Sequence, residues 1–252
     1  MDRKLVKDYA IVTGLVWLVF WGGCVAISQL FDCSVKSPFL FLPYVLGGFS
    51  PTIGSYVALK RSGRVASFGK WLKRIFDVRH GWKVYLLTAA YAAIYFGLGG
   101  LLSGCKRGAP LWMLPAAVSM MLFGGGNEEA GWRMVLQPEL EKRIGFHGAT
   151  IAVGAVWWLW HLPLFFMKDM QHDGKFFLFG ITCLALAYAL ATVRKISDGV
   201  FPCVLLHCLI NGLGVVFVLN GTLSGSLAVL IATVLLSAVV FFVNARKAKG
   251  KA

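Results

Sequence analysis

The chain has 252 residues, of which 58% are hydrophobic and only 14% are charged, and its mean hydropathy is +0.72. This composition excludes an ordinary soluble domain, and the length excludes several membrane domains. The net charge of +14 comes from basic residues grouped between long apolar stretches, so we attribute it to orientation in a membrane and expect no nucleic-acid partner. We therefore expect a single integral membrane domain over residues 1–252, surrounded by membrane lipids.

A helix needs about 20 apolar residues to cross the hydrocarbon core of a bilayer. The chain offers several such stretches, which predict an all-α, polytopic membrane protein of about eight transmembrane helices: 9–31, 39–59, 82–102, 111–136, 148–167, 176–193, 200–219 and 226–243. The first stretch is too long for the core of a signal peptide, so we expect it to remain as a membrane anchor.

Lysine and arginine are distributed unequally between the connections. One side, which includes both termini and the second, fourth and sixth connections, holds most of them, whereas the other side keeps only Lys36, Lys106, Arg107, Lys168 and Lys175. Because basic residues favour the cytoplasmic side, we predict a multi-pass protein of the cell membrane with both termini in the cytoplasm. The second connection, residues 60–83, mixes basic and aromatic residues and predicts a helix in the membrane interface. Residues 138–143 predict a second connection of this kind.

Glu128 and Glu129 are the only acidic residues inside a predicted span. A charge near the bilayer centre costs roughly 2.5–3.5 kcal/mol, so two adjacent carboxylates need partners and usually have a function. Arg133 lies four residues after Glu129 on the same helix face, which predicts an ion pair between them. Glu128 points about 100° away, and we expect it to face an aqueous cavity, where a carboxylate can act as a general base.

Further polar residues lie on two other predicted spans. His161 follows Trp157 by four residues on the fifth span, and Asn211 follows His207 by four on the seventh. Counting about 1.5 Å per residue from the predicted cytoplasmic ends places Glu128, His207 and His161 at depths of about 14, 12 and 20 Å. We therefore expect one buried site nearer the cytoplasm, with water and substrate arriving from that side.

These patches resemble the motifs of the CAAX-processing protease and bacteriocin-processing (CPBP, Abi-type) family of intramembrane proteases. Glu128, Glu129 and Arg133 resemble the E-E-x-x-x-R motif of that family. Trp157 and His161 resemble its aromatic-x-x-x-H motif, and His207 and Asn211 resemble its H-x-x-x-N motif. The resemblance covers residues 111–219, which we expect to form the catalytic core. One departure is Met134, where many members carry glycine; we expect it to alter local packing more than the chemistry.

The resemblance implies an intramembrane endopeptidase that hydrolyses a peptide bond of a membrane-associated protein or peptide. It implies that Glu128 and His161 activate a water molecule, and that His207 and Asn211 donate hydrogen bonds to the oxyanion. It also places Glu129 in the catalytic set and gives Arg133 a structural supporting role. The substrate stays open, because eukaryotic relatives trim prenylated CAAX proteins whereas prokaryotic relatives process peptides or confer immunity to bacteriocins.

The sequence leaves the involvement of a metal open. Two histidines, a glutamate and a water would make a plausible catalytic zinc shell, and many family members are described as metalloproteases on that ground. The chain has no H-E-x-x-H motif, however, and Asn211 would be an uncommon zinc ligand. We therefore prefer a metal-free, glutamate-dependent mechanism and keep zinc as the alternative.

Other functions also remain open at this point. A proton-coupled transporter would bury glutamate, histidine and arginine in a helical bundle, although the chain shows no matching halves. A non-catalytic scaffold or immunity protein would be expected to lose some of the motif residues that this chain keeps. A cysteine protease would use Cys203 and His207, which lie four residues apart on one helix face.

Overall fold

The computed structural model describes residues 1–170 and 175–249. Most of these residues lie in α-helices, which are, in chain order, α1 (Arg3–Trp17), α2 (Gly23–Leu30), α3 (Pro38–Gly48), α4 (Ser50–Arg61), α5 (Phe68–Ile75), α6 (Trp82–Ala93), α7 (Gly99–Ser103), α8 (Leu114–Met120), α9 (Glu129–Gly131), α10 (Gln137–Trp160), α11 (Phe176–Ser197), α12 (Phe201–Val216) and α13 (Leu223–Lys249).

Shorter elements join these helices. π-helical turns continue three of them, at Leu18–Gly22, Ile94–Leu98 and Trp132–Leu136, and 3-10 turns lie at Leu111–Met113, Gly126–Glu128 and Leu162–Phe166. Strands β1 (Cys105–Arg107) and β2 (Phe217–Leu219) form a small antiparallel sheet in which Cys105 lies opposite Leu219. The described part of the chain is therefore almost entirely helical.

Several continuous helices are long and apolar enough to cross a membrane. Within the described residues they are Arg3–Leu30, Trp82–Ser103, Gly126–Phe166, Phe176–Ser197 and Leu223–Arg246, and shorter apolar helices lie at Pro38–Gly48, Leu111–Met120 and Phe201–Val216. The predicted fold class, an all-α polytopic membrane protein, is confirmed.

Two predicted spans are not single helices. In the second span, α3 ends at Gly48 and α4 begins at Ser50, because Pro51 has no N–H to continue the helical hydrogen bonds. The fourth predicted span, 111–136, is interrupted by a turn between α8 and Gly126. Gly125 adopts a φ of 148° in this turn, a backbone conformation that residues other than glycine rarely adopt. The continuous fourth span was therefore wrong, and the break lies directly before Glu128.

The two predicted connecting helices are both present. α5 begins after Ser67, whose side chain accepts a hydrogen bond from the Lys70 amide, and it buries Trp71 and Ile75 while its basic residues stay exposed. The connection at 138–143 is the first part of α10, which changes direction at Gly145, where φ is 69°. Location of either helix in a membrane interface stays a prediction.

The bundle has two ends that differ in charge. At one end, which we call the basic end, Arg64 contacts Asp2 at 2.9 Å and Glu139 at 2.7 Å. At the other end, which we call the sheet end, β1 and β2 pair and Ser103 is 2.9 Å from Thr222. α13 starts beside that pair and runs toward the basic end, where α1 begins. The start of α1 and the end of α13 therefore lie on the same side of the bundle. Which side faces the cytoplasm stays a prediction.

Candidate active site

α12 lies at the centre of the bundle, packed against α6, α8 and α11. Beside it is a cavity of about 450 Å³. Its lining contains four of the five residues predicted to be catalytic: Glu128, His161, His207 and Asn211. Glu129, the fifth, is fully buried behind the cavity wall. The structure therefore brings together polar groups from three separate predicted spans.

The break before Glu128 shapes one wall of this cavity. A side-chain carbon at Gly125 would lie 2.5 Å from Asn211 Nδ2 and 2.7 Å from His207 Nε2, so the glycine backbone packs directly against both side chains. The Asn211 amide also donates a hydrogen bond of 3.0 Å to the Gly124 carbonyl. The turn and α12 are consequently fixed to each other at the site.

Two indole groups hold the Glu128 carboxylate. Trp157 Nε1 donates to Glu128 Oε2 at 2.7 Å, and Trp132 Nε1 donates to the same oxygen at 3.3 Å. Within the described part of the chain, no side chain or amide donates to the other oxygen, Oε1. Because Glu128 is only 6% exposed and lines the cavity, that oxygen is the one available to a water molecule there.

Trp157 lies between the two histidines. Its ring centre is 5.6 Å from that of His161 and 5.3 Å from that of His207. The Trp157 carbonyl is 2.7 Å from His161 Nδ1. Since a carbonyl only accepts, Nδ1 carries the proton, and Nε2 is the basic nitrogen of the neutral ring.

His207 has a partner that the sequence did not indicate. Its Nδ1 lies 2.8 Å from Glu129 Oε1, and the other carboxylate oxygen, Oε2, lies 3.2 Å from Arg133 Nε. Glu129 and Arg133 are both 0% exposed, so the predicted ion pair is confirmed and is completely buried. An ionised carboxylate can only accept, so it fixes the proton of His207 on Nδ1 and turns Nε2 toward Gly125.

The metal alternative can be tested on the donor groups themselves. Among the described residues, no three His, Cys, Asp or Glu side chains converge as ligands for a metal ion. His207 Nδ1 faces Glu129, and one Glu128 oxygen is taken by two indole N–H groups. Because no such group of ligands is found among the described residues, the structure does not support a metalloprotease. A histidine that binds zinc through Nε2 commonly bonds a carboxylate through Nδ1, so these contacts alone do not exclude the zinc alternative.

The cysteine alternative does not fit either. Cys203 is completely buried, and its thiol donates to the Leu190 carbonyl at 3.4 Å. It is absent from the cavity lining, and His207 Nδ1 is hydrogen-bonded to Glu129 Oε1. A thiolate at this position would have no access to a substrate in the cavity.

The position of the cavity bears on where water and substrate enter. Its remaining lining comes largely from segments next to the sheet end: Phe41 and Tyr44 of α3, Leu164 and Met170 after α10, and Phe179 and Thr182 at the start of α11. This lining does not show which end of the cavity is open, so the expectation that water and substrate arrive from the basic end stays a prediction. This expectation assumed an unbroken fourth helix of uniform rise, whereas the chain contains the turn at Gly125 and a π-helical turn at Trp132–Leu136.

Sequence reasoning missed three residues that shape the site. Gly125 was treated as part of a continuous helix, although a run of three glycines before a carboxylate is a signal for a turn. Trp132 lies four residues after Glu128, so its position on the same helix face was available from spacing alone. Gln137 lies four residues after Arg133, so its contact with Arg133 was also available from helical spacing.

Comparison with models of protein families gives a match. Residues 110–213 match the model of a family described as type II CAAX prenyl endopeptidase, Rce1-like. This stretch is less than half of the chain, and it contains all five residues predicted to be catalytic. No curated protein matches the chain. The resemblance to the CPBP family of intramembrane proteases is thereby confirmed over these residues, and the match supports intramembrane protease activity.

Proposed function

We propose that the chain, whose residues 110–213 match the Rce1-like CAAX endopeptidase family, is an intramembrane endopeptidase with Glu128 as its general base. The observation that carries the proposal is the meeting of Glu128, His161, His207 and Asn211 at one cavity inside an apolar bundle. Residues 111–219 would form its catalytic core within a single membrane domain. No metal is needed for the steps that follow.

Glu128 and His161 activate the attacking water. The water binds at Glu128 Oε1 and gives its proton to the carboxylate as its oxygen adds to the substrate carbonyl carbon. His161 Nε2 accepts a hydrogen bond from the same water and orients it. When the tetrahedral intermediate collapses, protonated Glu128 returns the proton to the leaving amine, so that the C–N bond breaks and the base is regenerated.

His207 and Asn211 stabilise the oxyanion of that intermediate. Asn211 is a neutral donor placed by its hydrogen bond to the Gly124 carbonyl. His207 Nδ1 already faces Glu129, so its Nε2 donates only when the ring carries both protons. The buried Glu129 carboxylate stabilises that charged ring. Such preorganised donors act strongly at the low dielectric of a buried site.

A second cavity suggests where a lipid-modified substrate is held. It measures about 340 Å³ and is lined mainly by apolar side chains: Phe49, Ile53, Tyr56, Phe68, Trp71, Leu72, Ile75, Phe76, Leu122 and Phe123. Phe123 also lines the active-site cavity. The name of the matched family specifies a prenyl substrate. The proposed substrate is therefore a membrane-associated peptide whose prenyl chain occupies this apolar cavity while its peptide bond lies beside Glu128.

The test uses purified protein in lipid vesicles with a fluorescent CAAX-type peptide, in prenylated and unprenylated forms. The products are identified by mass spectrometry. We expect the parent protein and Cys203→Ala to cleave at the same rate, and the prenylated peptide to have the lower KM. Ile53→Trp, which fills the apolar cavity, should raise the KM for the prenylated peptide alone.

Two outcomes would contradict this proposal at different levels. Equal KM values for both peptides would remove the assigned lipid site and leave the protease. Failure of the parent protein to cleave either peptide, while it binds them, would favour the non-catalytic scaffold.

A further inference from the structure

A line of polar residues, buried except for the partly exposed Glu141, leads from His207 toward the basic end. Glu129, Arg133, Gln137 and Glu141 follow each other at intervals of four residues on one helical stretch. Their contacts are continuous: Arg133 Nη1 donates to Gln137 Oε1 at 3.4 Å, and Gln137 Nε2 donates to Glu141 Oε1 at 3.0 Å. The reaction proposed above uses none of the residues beyond Arg133.

Arg133 depends on Gln137 for its orientation. The guanidinium is 0% exposed and its Nε and Nη2 groups make no hydrogen bond within the described residues. Besides its ion pair with Glu129 Oε2 at 3.2 Å, the guanidinium makes one hydrogen bond within the described residues, which is to the Gln137 carbonyl oxygen. A buried charge with so few hydrogen bonds is held only if each remaining partner stays in place.

Gln137 is itself fixed from the other side. Both hydrogens of its amide are used, by Glu141 Oε1 and by Thr150 Oγ1 at 3.2 Å. The carbonyl oxygen is therefore the atom that must face Arg133. Lys195 holds Glu141 in turn through a contact of 2.9 Å.

We infer that Gln137 is a positioning residue for His207. It orients the Arg133 guanidinium, which holds the Glu129 carboxylate, which fixes the proton on His207 Nδ1 and directs Nε2 into the site. Only the effect on turnover rests on the proposed function, because the geometry of His207 can be measured without a substrate.

The first measurement is nuclear magnetic resonance of protein labelled with ¹⁵N-histidine in lipid nanodiscs, with the His207 signals assigned by loss in His207→Gln. The parent should show an Nδ1 proton protected from exchange with water. Gln137→Met, which keeps the length of the side chain but removes the acceptor, should lose this protection. Thr192→Val, which removes a buried hydroxyl that bonds to Ser237 and forms no hydrogen bond with the described residues of this line, is the control and should keep it.

The second measurement is turnover of the peptide substrate. Gln137→Met should lower kcat by roughly 10- to 100-fold with little change in KM, as expected when a catalytic group is displaced by a fraction of an ångström to one ångström. The exchange variant Gln137→Glu with Glu141→Gln keeps an acceptor facing Arg133 at unchanged total charge and should restore most of kcat. Thr192→Val should turn over like the parent.

A folded Gln137→Met protein that keeps both the His207 signal and the parental kcat would overturn the inference. If that variant does not fold, Gln137→Asn provides the same test, since its shorter side chain withdraws the oxygen from Arg133 but stays polar. A parent protein without peptidase activity would contradict the proposed function, whereas the resonance measurement would still decide the role of Gln137.

Discussion

Trp157 contacts three of the residues proposed to act in catalysis. Its indole donates to Glu128, its carbonyl lies 2.7 Å from His161 Nδ1, and its ring packs against His207. An aromatic residue four positions before a histidine was visible in the sequence, but its hydrogen bond to a carboxylate on another helix was not. At the residue scale, the geometry of the site therefore depends on Trp157 as well as on the ionisable side chains that it contacts.

Replacement of the Trp157 indole tests this role. Trp157→Phe keeps an aromatic ring but removes the N–H group that bonds to Glu128. Without this hydrogen bond the carboxylate is no longer held at its place beside the cavity, so kcat/KM should fall by about 10-fold or more. Trp158→Phe is the control, because the Trp158 indole donates to the Phe176 carbonyl, away from Glu128. Equal losses in both variants would contradict the role assigned to Trp157.

The turn before Gly126 is the element that places Glu128 and Asn211 together. It ends α8 and brings the Gly125 backbone against His207 and Asn211. Hydrophobicity predicted an apolar stretch here and could not distinguish a continuous helix from two helical pieces with a turn. The backbone conformation of Gly125, which decides this, depends on contacts with α12 that are remote in sequence.

Alanine variants of two glycines with positive φ distinguish the contacts made by this turn from the effect of backbone strain. Gly125→Ala and Gly145→Ala should each cost about 1–3 kcal/mol in stability because of their backbone conformation. The added carbon at Gly145 meets open space, whereas at Gly125 it meets His207 and Asn211. We therefore expect Gly125→Ala to lose about 100-fold or more in kcat, and Gly145→Ala to keep its turnover. Thermal unfolding and peptide cleavage, measured together, distinguish these effects.

At the scale of the whole molecule, the fold class followed from composition and span length, whereas the division of the apolar stretches into helices did not. The ion pair between Glu129 and Arg133 followed from helical spacing. The pairing of His207 with Glu129, the hydrogen bond from Trp157 to Glu128 and the segments that line the cavity could not be predicted. These features depend on how helices tilt and turn against each other, which a one-dimensional count of 1.5 Å per residue does not contain.

The orientation of the molecule gives a prediction at this scale. Cys105 is exposed and lies in β1 at the sheet end, opposite the basic end where both terminal helices end. If the basic end faces the cytoplasm, a membrane-impermeant maleimide added to intact cells should label Cys105. Cys105→Ser should lose most of this label, and Cys203→Ala, which removes a buried thiol, should retain it. Labelling only after the membrane is opened would reverse the predicted orientation.

The central claim is that Glu128 takes a proton from water in the cavity. Its most direct test is the turnover of Glu128→Gln in the vesicles used for the parent protein. The amide keeps an oxygen that can accept from Trp157 but cannot act as a base. We expect kcat to fall by roughly 100- to 10,000-fold, with an unfolding temperature like that of the parent. A folded Glu128→Gln protein that cleaves the peptide at the parental rate would contradict the account.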